Sequence, residues 1–192
     1  MEESVLKKIV NVEEYLAIEA NSLEKHEFHH GEIYAMAGGK PSHALIANNI
    51  SAELRSTLKG RPCLAYNSDL AIAITENEFV YADASVVCGQ LVTSTQNINA
   101  AQNPVLVVEV LSDSTEKYDR GEKFRKYQQI QSLCEYVLIA QDTMRVEVFS
   151  KHENIIFWQY RSYELPSDRI DLKSINCTIL LEDIYLGWIT KD

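Results

Sequence analysis

Of 192 residues only seven are glycine and four are proline, too few for a collagenous or proline-rich low-complexity chain. No apolar run approaches the roughly 20 residues of a membrane-spanning helix; the densest, Pro104 to Leu111, is interrupted by Glu109. The opening Met1-Glu2-Glu3-Ser4 is acidic and leads into mixed charge, unlike a secretory leader. These absences predict a cytoplasmic protein without membrane association. Cysteine is scarce too: Cys63, Cys88, Cys134 and Cys177 contain no C-x-x-C pair, which argues against a zinc site. Cys88 and Cys134, in or beside apolar stretches, read as reduced, buried thiols. Bases are few, 18 against 28 acids for a formal net charge of −10, so the whole surface cannot coat a phosphate backbone. Any nucleic-acid role must use a local basic patch or metal ions.

What is present is ordinary globular usage, 46% hydrophobic and 24% charged, which excludes intrinsic disorder. The length predicts a single domain over residues 1–192. Asn11 caps a helix carrying Val12, Tyr15, Leu16 and Glu19 at helical spacing. Lys25 to Ala37 reads as a hairpin turning near His30-Gly31. Pro41 to Leu58 is a helix striped by Leu45, Ile46, Ile50, Leu54 and Leu58 and stopped by Gly60. Strands are expected at 64–65, 69–74, 80–88 and 105–111. A helix signalled by Asp113 and Glu116 then runs to about Gln131, and strands follow at 135–140, 145–150, 155–160 and 177–181. That order fits an α+β fold, a mixed sheet flanked by helices with an N-terminal helix and hairpin. Residues 90–103 are polar and read equally as a loop insertion or a flexible lid.

Glu109 is the most informative residue. It stands inside Val105-Leu106-Val107-Val108-Glu109-Val110-Leu111, the kind of run found in strands buried on both faces. A carboxylate there loses its hydration unless it meets a cation or hydrogen-bond donors. Asp83, within Tyr81-Ala82-Asp83-Ala84-Ser85, raises the same question on a neighbouring strand. A helix returning from Asp113 along the sheet, at about 1.5 Å per residue, comes level with Glu109 near residues 119–123. At about 100° per residue, Lys123 shares the sheet-facing arc with Phe124, Tyr127 and Ile130, whereas Arg125 points to solvent. Arg120 also falls inside that arc, as a partner for Glu109 or a phosphate ligand. Two carboxylates and a lysine converging on a sheet suit a hard divalent cation with an ammonium beside it.

Second-tier candidates are Glu32 just after the hairpin turn, His43 near a helix start and Asp69 in Asn67-Ser68-Asp69. They read respectively as a further metal ligand or exposed turn acid, a proton-transfer or capping histidine, and a local turn residue. The cluster His26-x-x-His29-His30 does not read as a shared metal site, because strand alternation separates His29 from the other two.

The block Val107-Val108-Glu109-Val110-Leu111-Ser112-x-Ser114-Thr115, with Asp119-Arg120-Gly121-Glu122-Lys123, Tyr127 and Glu135-Tyr136-Val137-Leu138, resembles the signature of the Uma family of restriction-endonuclease-like proteins. Gly31-Glu32-Ile33-Tyr34-Ala35-Met36, His43, Asn48, Asp69 and Tyr81-x-Asp83 match its pattern upstream, so the likeness runs from about Tyr15 to Tyr185. The resemblance implies the PD-(D/E)XK nuclease fold, a mixed central sheet flanked by helices with Mg²⁺ (or Mn²⁺) held by acids on adjacent strands. Carried over, Asp83 is the Asp of the P-D motif and Glu109 the acid of E-x-K. Ala82 replaces the motif's proline, and Leu111 stands at the usual lysine position, with Lys123 on the next helix as its counterpart. The expectation is a Mg²⁺-dependent DNA endonuclease with no organic cofactor. Asp83, Glu109 and the Val110 carbonyl would hold the ion, Lys123 would position water, and a homodimer would make double-strand breaks. The alternatives are a non-catalytic nuclease-fold module that binds nucleic acid or a partner protein, and a purely structural Glu109–Arg120 salt bridge. The acidic net charge favours the module, and residues 116–126, with five bases against three acids, offer only a small basic patch for a DNA enzyme.

Overall fold

A computed structural model describes residues 9–36, 38–151 and 157–188. Asn11 opens the first helix, α1 (Val12–Glu19), through a reciprocal capping box with Glu14. Strands β1 (His26–His29) and β2 (Glu32–Ala35) form the expected hairpin. Its turn residues His30 and Gly31 have φ of 50° and 99°, the left-handed pair that a two-residue hairpin loop requires. Helix α2 (Pro41–Thr57) buries Ile46, Ile50 and Leu54. The strands β3 (Cys63–Asn67), β4 (Ala71–Thr75), β5 (Glu78–Tyr81), β6 (Ala84–Cys88), β7 (Ala100–Ala101) and β8 (Leu106–Leu111) follow. Then come α3 (Glu116–Tyr118), a π-helical turn (Asp119–Lys123) and α4 (Phe124–Tyr127). The chain continues through β9 (Glu135–Ala140), β10 (Val146–Ser150), β11 (Gln159–Tyr163), β12 (Arg169–Leu172), β13 (Cys177–Leu180) and α5 (Leu181–Ile184).

Two larger sheets result, ordered β2-β1-β5-β4-β7 and β11-β10-β9-β8-β6-β3, with β12-β13 as a separate hairpin. Both larger sheets are mixed: β8 runs parallel to β9 and β4 parallel to β7, while the remaining pairs are antiparallel. The α3–α4 segment is the crossover that parallel neighbours such as β8 and β9 require. All six residues of β8 and of β9 are buried. One face of the second sheet packs against α2, β12, β13 and α5, burying Ile50, Val108, Val137 and Ile179. The opposite face packs Val107 and Leu138 against Tyr127 and Ile130. Tyr15, Phe28 and Phe79 stack beneath α1 on the first sheet.

Several expectations need correction. The run 80–88 is two strands in different sheets: the chain leaves β5, passes Ala82 and Asp83, and enters β6. The helix after Asp113 ends at Tyr127, not Gln131, and is broken by the π turn. The strand expected at 155–160 lies at 159–163; residues 155 and 156 of the expected segment fall outside the described residues. Residues 90–103 are pinned: Glu76 accepts hydrogen bonds from Ser94, Thr95, Gln96 and Gln102, and Asn103 bonds to Gln90 and Val92. Cys88 is not a reduced, buried thiol. It faces Cys63 directly across β3 and β6 and the two form a disulfide.

Candidate active site

The site lies where the two larger sheets meet. β8 carries Glu109 on the face that α3–α4 covers, and the π turn delivers Lys123 onto it. Single π turns insert one residue into helical register; here the turn buries both Asp119 and Lys123. Lys123 Nζ lies 2.9 Å from Glu109 Oε1, 3.2 Å from Glu27 Oε1 and 3.8 Å from Asp119 Oδ1. It also donates to the Tyr81 carbonyl at 2.8 Å. The side chains of Lys123 and Glu109 are each 6% exposed. Tyr127 adds a hydroxyl donor to Glu109 at 2.8 Å.

Asp83 sits in the bend between β5 and β6 and accepts from the Val110 amide at 2.7 Å. This bond ties the bend to the strand that carries Glu109. His43, in the first turn of α2, approaches Asp83 at 3.4 Å. The Asp83 hydrogen bond, together with one to the Val110 backbone, raises the imidazole above its ordinary pKa against the opposing effect of burial. Gly39 makes room for the ring, since a Cβ there would lie 2.8 Å from His43 Nδ1.

A family model described as "Putative restriction endonuclease" (Uma2) matches residues 12–179. The chain belongs to the Uma2 family. It is 40% identical over 177 residues to the uncharacterized protein slr1290 of Synechocystis sp., covering 91% of this chain and 90% of that one. It is 36% identical over 145 residues to the uncharacterized protein sll1609 of the same organism, covering 75% and 82%. The fold matches the crystal structure of a putative nuclease belonging to DUF820 from Anabaena variabilis. The TM-score is 0.71 at 15% identity, over 92% of this chain and 97% of that chain.

In this Uma2 chain the carboxylates around Lys123 are driven apart. Burial pushes Glu109 well above its ordinary range, outweighing the Lys123 ammonium, and the Asp119 and Asp83 charges add to the rise. Asp119 is raised as well, chiefly by burial. Burial opposes the charge on Glu27 too, but Lys123 and His29 overcome it and hold that carboxyl down at about 2. Burial alone would lower Lys123, yet Glu109, Glu27 and Asp119 raise it above the ordinary lysine value. Lys123 is therefore a stable cation with more carboxylate around it than it can neutralise.

Glu27 escapes sequence reasoning. On β1, Phe28 faces the aromatic core while Glu27 and His29 project from the opposite face. In a four-residue strand that pattern looks like a solvated side, and only the later π turn covers it. Among the second-tier candidates, His43 reaches the site and the others lie apart. Glu32 accepts from the Tyr34 hydroxyl on β2, and Asp69 pairs with Lys25 at 2.7 Å with its side chain 74% exposed. Arg120 binds Glu116 and Glu147, so the Glu109–Arg120 salt bridge does not form. The reason is angular: the extra residue of the π turn points Lys123 inward and Arg120 toward β10. Among the histidines, His26 pairs with Glu19, and His29 lies between Glu27 and Glu78.

The donor set can be tested against a divalent ion. Among the described residues no three His, Cys, Asp or Glu side chains form a metal-binding group. The protein's offer is two carboxylates, Asp83 and Glu109, and the Val110 carbonyl. Such a set is of the kind that could hold Mg²⁺, which takes few protein oxygens and keeps several waters.

Proposed function

We propose that this Uma2 protein is a Mg²⁺-dependent endonuclease that hydrolyses DNA phosphodiester bonds, with Mn²⁺ as a possible substitute. The observation that carries the reading is the buried Glu109 carboxylate, destabilised as an anion and set beside a permanent ammonium on the side of β8 where Asp83 is tied. Asp83, Glu109 and the Val110 carbonyl would hold the ion. When bound, it would supply Lewis-acid polarisation of a phosphoryl oxygen and neutralise charge there. Lys123, cationic throughout, acts as a donor: it orients the attacking water and stabilises charge that develops on the phosphate. It is not a base. His43 stands 3.4 Å from Asp83, placed to assist proton transfer. Double-strand cleavage would need two copies of the site, hence a homodimer.

A second reading, a non-catalytic module that binds nucleic acid or a partner protein, is favoured by one observation. The bases of the α3–α4 segment are largely spent on internal pairs. Arg120 is held by Glu116 and Glu147, Lys126 by Glu78 and Glu122, and Lys123 by the site itself. Plasmid cleavage with Mg²⁺ or Mn²⁺ decides between them. The nuclease reading expects nicking or linearisation by wild type and none by Glu109→Gln. Equal activity in both, or no activity in either across broad salt and pH, refutes it.

A further inference from the structure

Lys123 has three protons to donate and three close acceptors: the Tyr81 carbonyl, Glu109 and Glu27. Two of the three belong to the first sheet, since Tyr81 ends β5 and Glu27 lies on β1. Glu109 alone belongs to the second sheet, and it alone is also needed for a divalent ion under the nuclease reading. A carboxylate that turns toward such an ion cannot hold an ammonium equally well, because the two cations repel. The ammonium then needs an anchor that does not move with Glu109.

We infer that Glu27 is that anchor, a positioning residue that fixes the Lys123 ammonium beside the reacting centre while Glu109 serves the cation; this rests on the nuclease reading above. Glu27 is built to stay in place. Its Oε1 also accepts from the Tyr81 amide at 3.3 Å, and its Oε2 from the Tyr118 hydroxyl at 3.2 Å. His29 Nε2 lies 3.1 Å from Oε2, and its Nδ1 lies 3.0 Å from Glu78. Glu78 is held in turn by Lys126 at 2.9 Å. The anchor is thus part of a charged lattice on the β1–β5 pair, and Lys123 is stapled to both sheets at once. Of the three side chains the nuclease reading places at the reaction, Asp83, Glu109 and Lys123, Glu27 is within ion-pair distance of Lys123, so the inferred influence passes through that side chain.

The test is a double-mutant cycle on the full chain, pairing Glu27→Gln with Lys123→Met and adding Glu27→Asp. Plasmid-cleavage kinetics and calorimetric Mn²⁺ titration are the two readouts. A loosened ammonium should lower kcat at least about tenfold with KM little changed, and Glu27→Asp should recover part of it. In the Lys123→Met background Glu27→Gln should change nothing further, since effects acting through one residue do not add. Should Glu27→Gln not fold, Tyr118→Phe, which removes one hydrogen bond from Glu27 Oε2 and keeps its charge, should lower kcat about threefold. Unchanged kcat in the Glu27 and Tyr118 variants, or additive losses with Lys123→Met, overturns the inference while leaving the nuclease reading intact. Loss of Mn²⁺ binding as complete as in Asp83→Asn also overturns it, making Glu27 a ligand instead. A wild type that neither binds Mn²⁺ nor cleaves removes the nuclease reading, and this inference with it.

Discussion

Replacing Glu109 with Gln should stabilise the metal-free protein. Burial dominates this carboxyl and raises it well above its ordinary value of 4.5, with Lys123 only partly compensating. A carboxyl raised in the folded state binds its proton more tightly there than in the unfolded chain. The stability it contributes is complete below the unfolded value and is lost as pH climbs through the folded one. Above that window the wild type holds an imperfectly compensated buried charge, costing about 1–3 kcal/mol. Gln holds none, and its amide oxygen can still accept from Tyr127 and Lys123. At roughly 2–4 °C per kcal/mol for a chain of this size, Glu109→Gln should melt about 2–12 °C above wild type at pH 8. The curves should converge toward pH 4–5. Scanning calorimetry in EDTA across pH 4.5–8.5 measures this directly. Mg²⁺ should then reverse the order: a ligand at a hundred times its Kd adds about 2.7 kcal/mol, to wild type only. A Gln variant that melts lower at every pH, with no Mg²⁺ response in either protein, would make Glu109 an ordinary ion-pair partner and refute the reasoning.

Lys123→Met should be severe, because it strands Glu27, Glu109 and Asp119 without their shared cation; breaking such a buried group costs about 3–5 kcal/mol. Urea denaturation reads it, and a loss under about 1 kcal/mol would contradict the assigned contacts. Glu135→Ala removes the acceptor for the Lys173 and Ser174 amides and the Ser174 hydroxyl. That should lower stability by about 2–4 kcal/mol, and retention of wild-type stability would refute it. Reducing the Cys63–Cys88 link, which closes a separation of 25 residues, should lower stability by about 3–4 kcal/mol. Identical melting with and without dithiothreitol would argue against the bond. Gly39→Ala should displace His43 from Asp83, visible as a shift of the His43 ring resonances in NMR spectra; an unmoved ring would contradict the tight packing.

Local chemistry was legible wherever a residue's neighbours in sequence are also its neighbours in space. The Asn11 cap, the His30-Gly31 turn and the stripe along α2 depend on intervals of two to four residues, and they fold as read. Glu109 was legible for a related reason: an acid among branched aliphatics in a doubly buried strand must meet a cation or hydrogen-bond donors. Lys123 followed from helical period and came out beside Glu109, although the period itself is interrupted by the π turn. What stayed hidden depends on distant partners. Glu27 looks solvated until a segment some ninety residues later covers it. Cys63 and Cys88 meet only once the β3–β6 register is known. The change of sheet at Ala82–Asp83 carries no punctuation, because Ala and Asp fit an ordinary strand edge.

The π turn also gives the scaffold an unusual evolutionary lever. Gly121 lies inside it, and a Cβ there would meet nothing within 4 Å, so the position is not bound by packing. Losing that one codon would restore regular helix and rotate Asp119 and the residues before it by roughly 100° relative to those after it. The aromatic layer around Phe124 and Tyr127 could stay docked while Lys123 and its acidic neighbour parted company. A single in-frame deletion or insertion could thus separate or rejoin the Lys123–Asp119 pair while leaving the hydrophobic interior untouched.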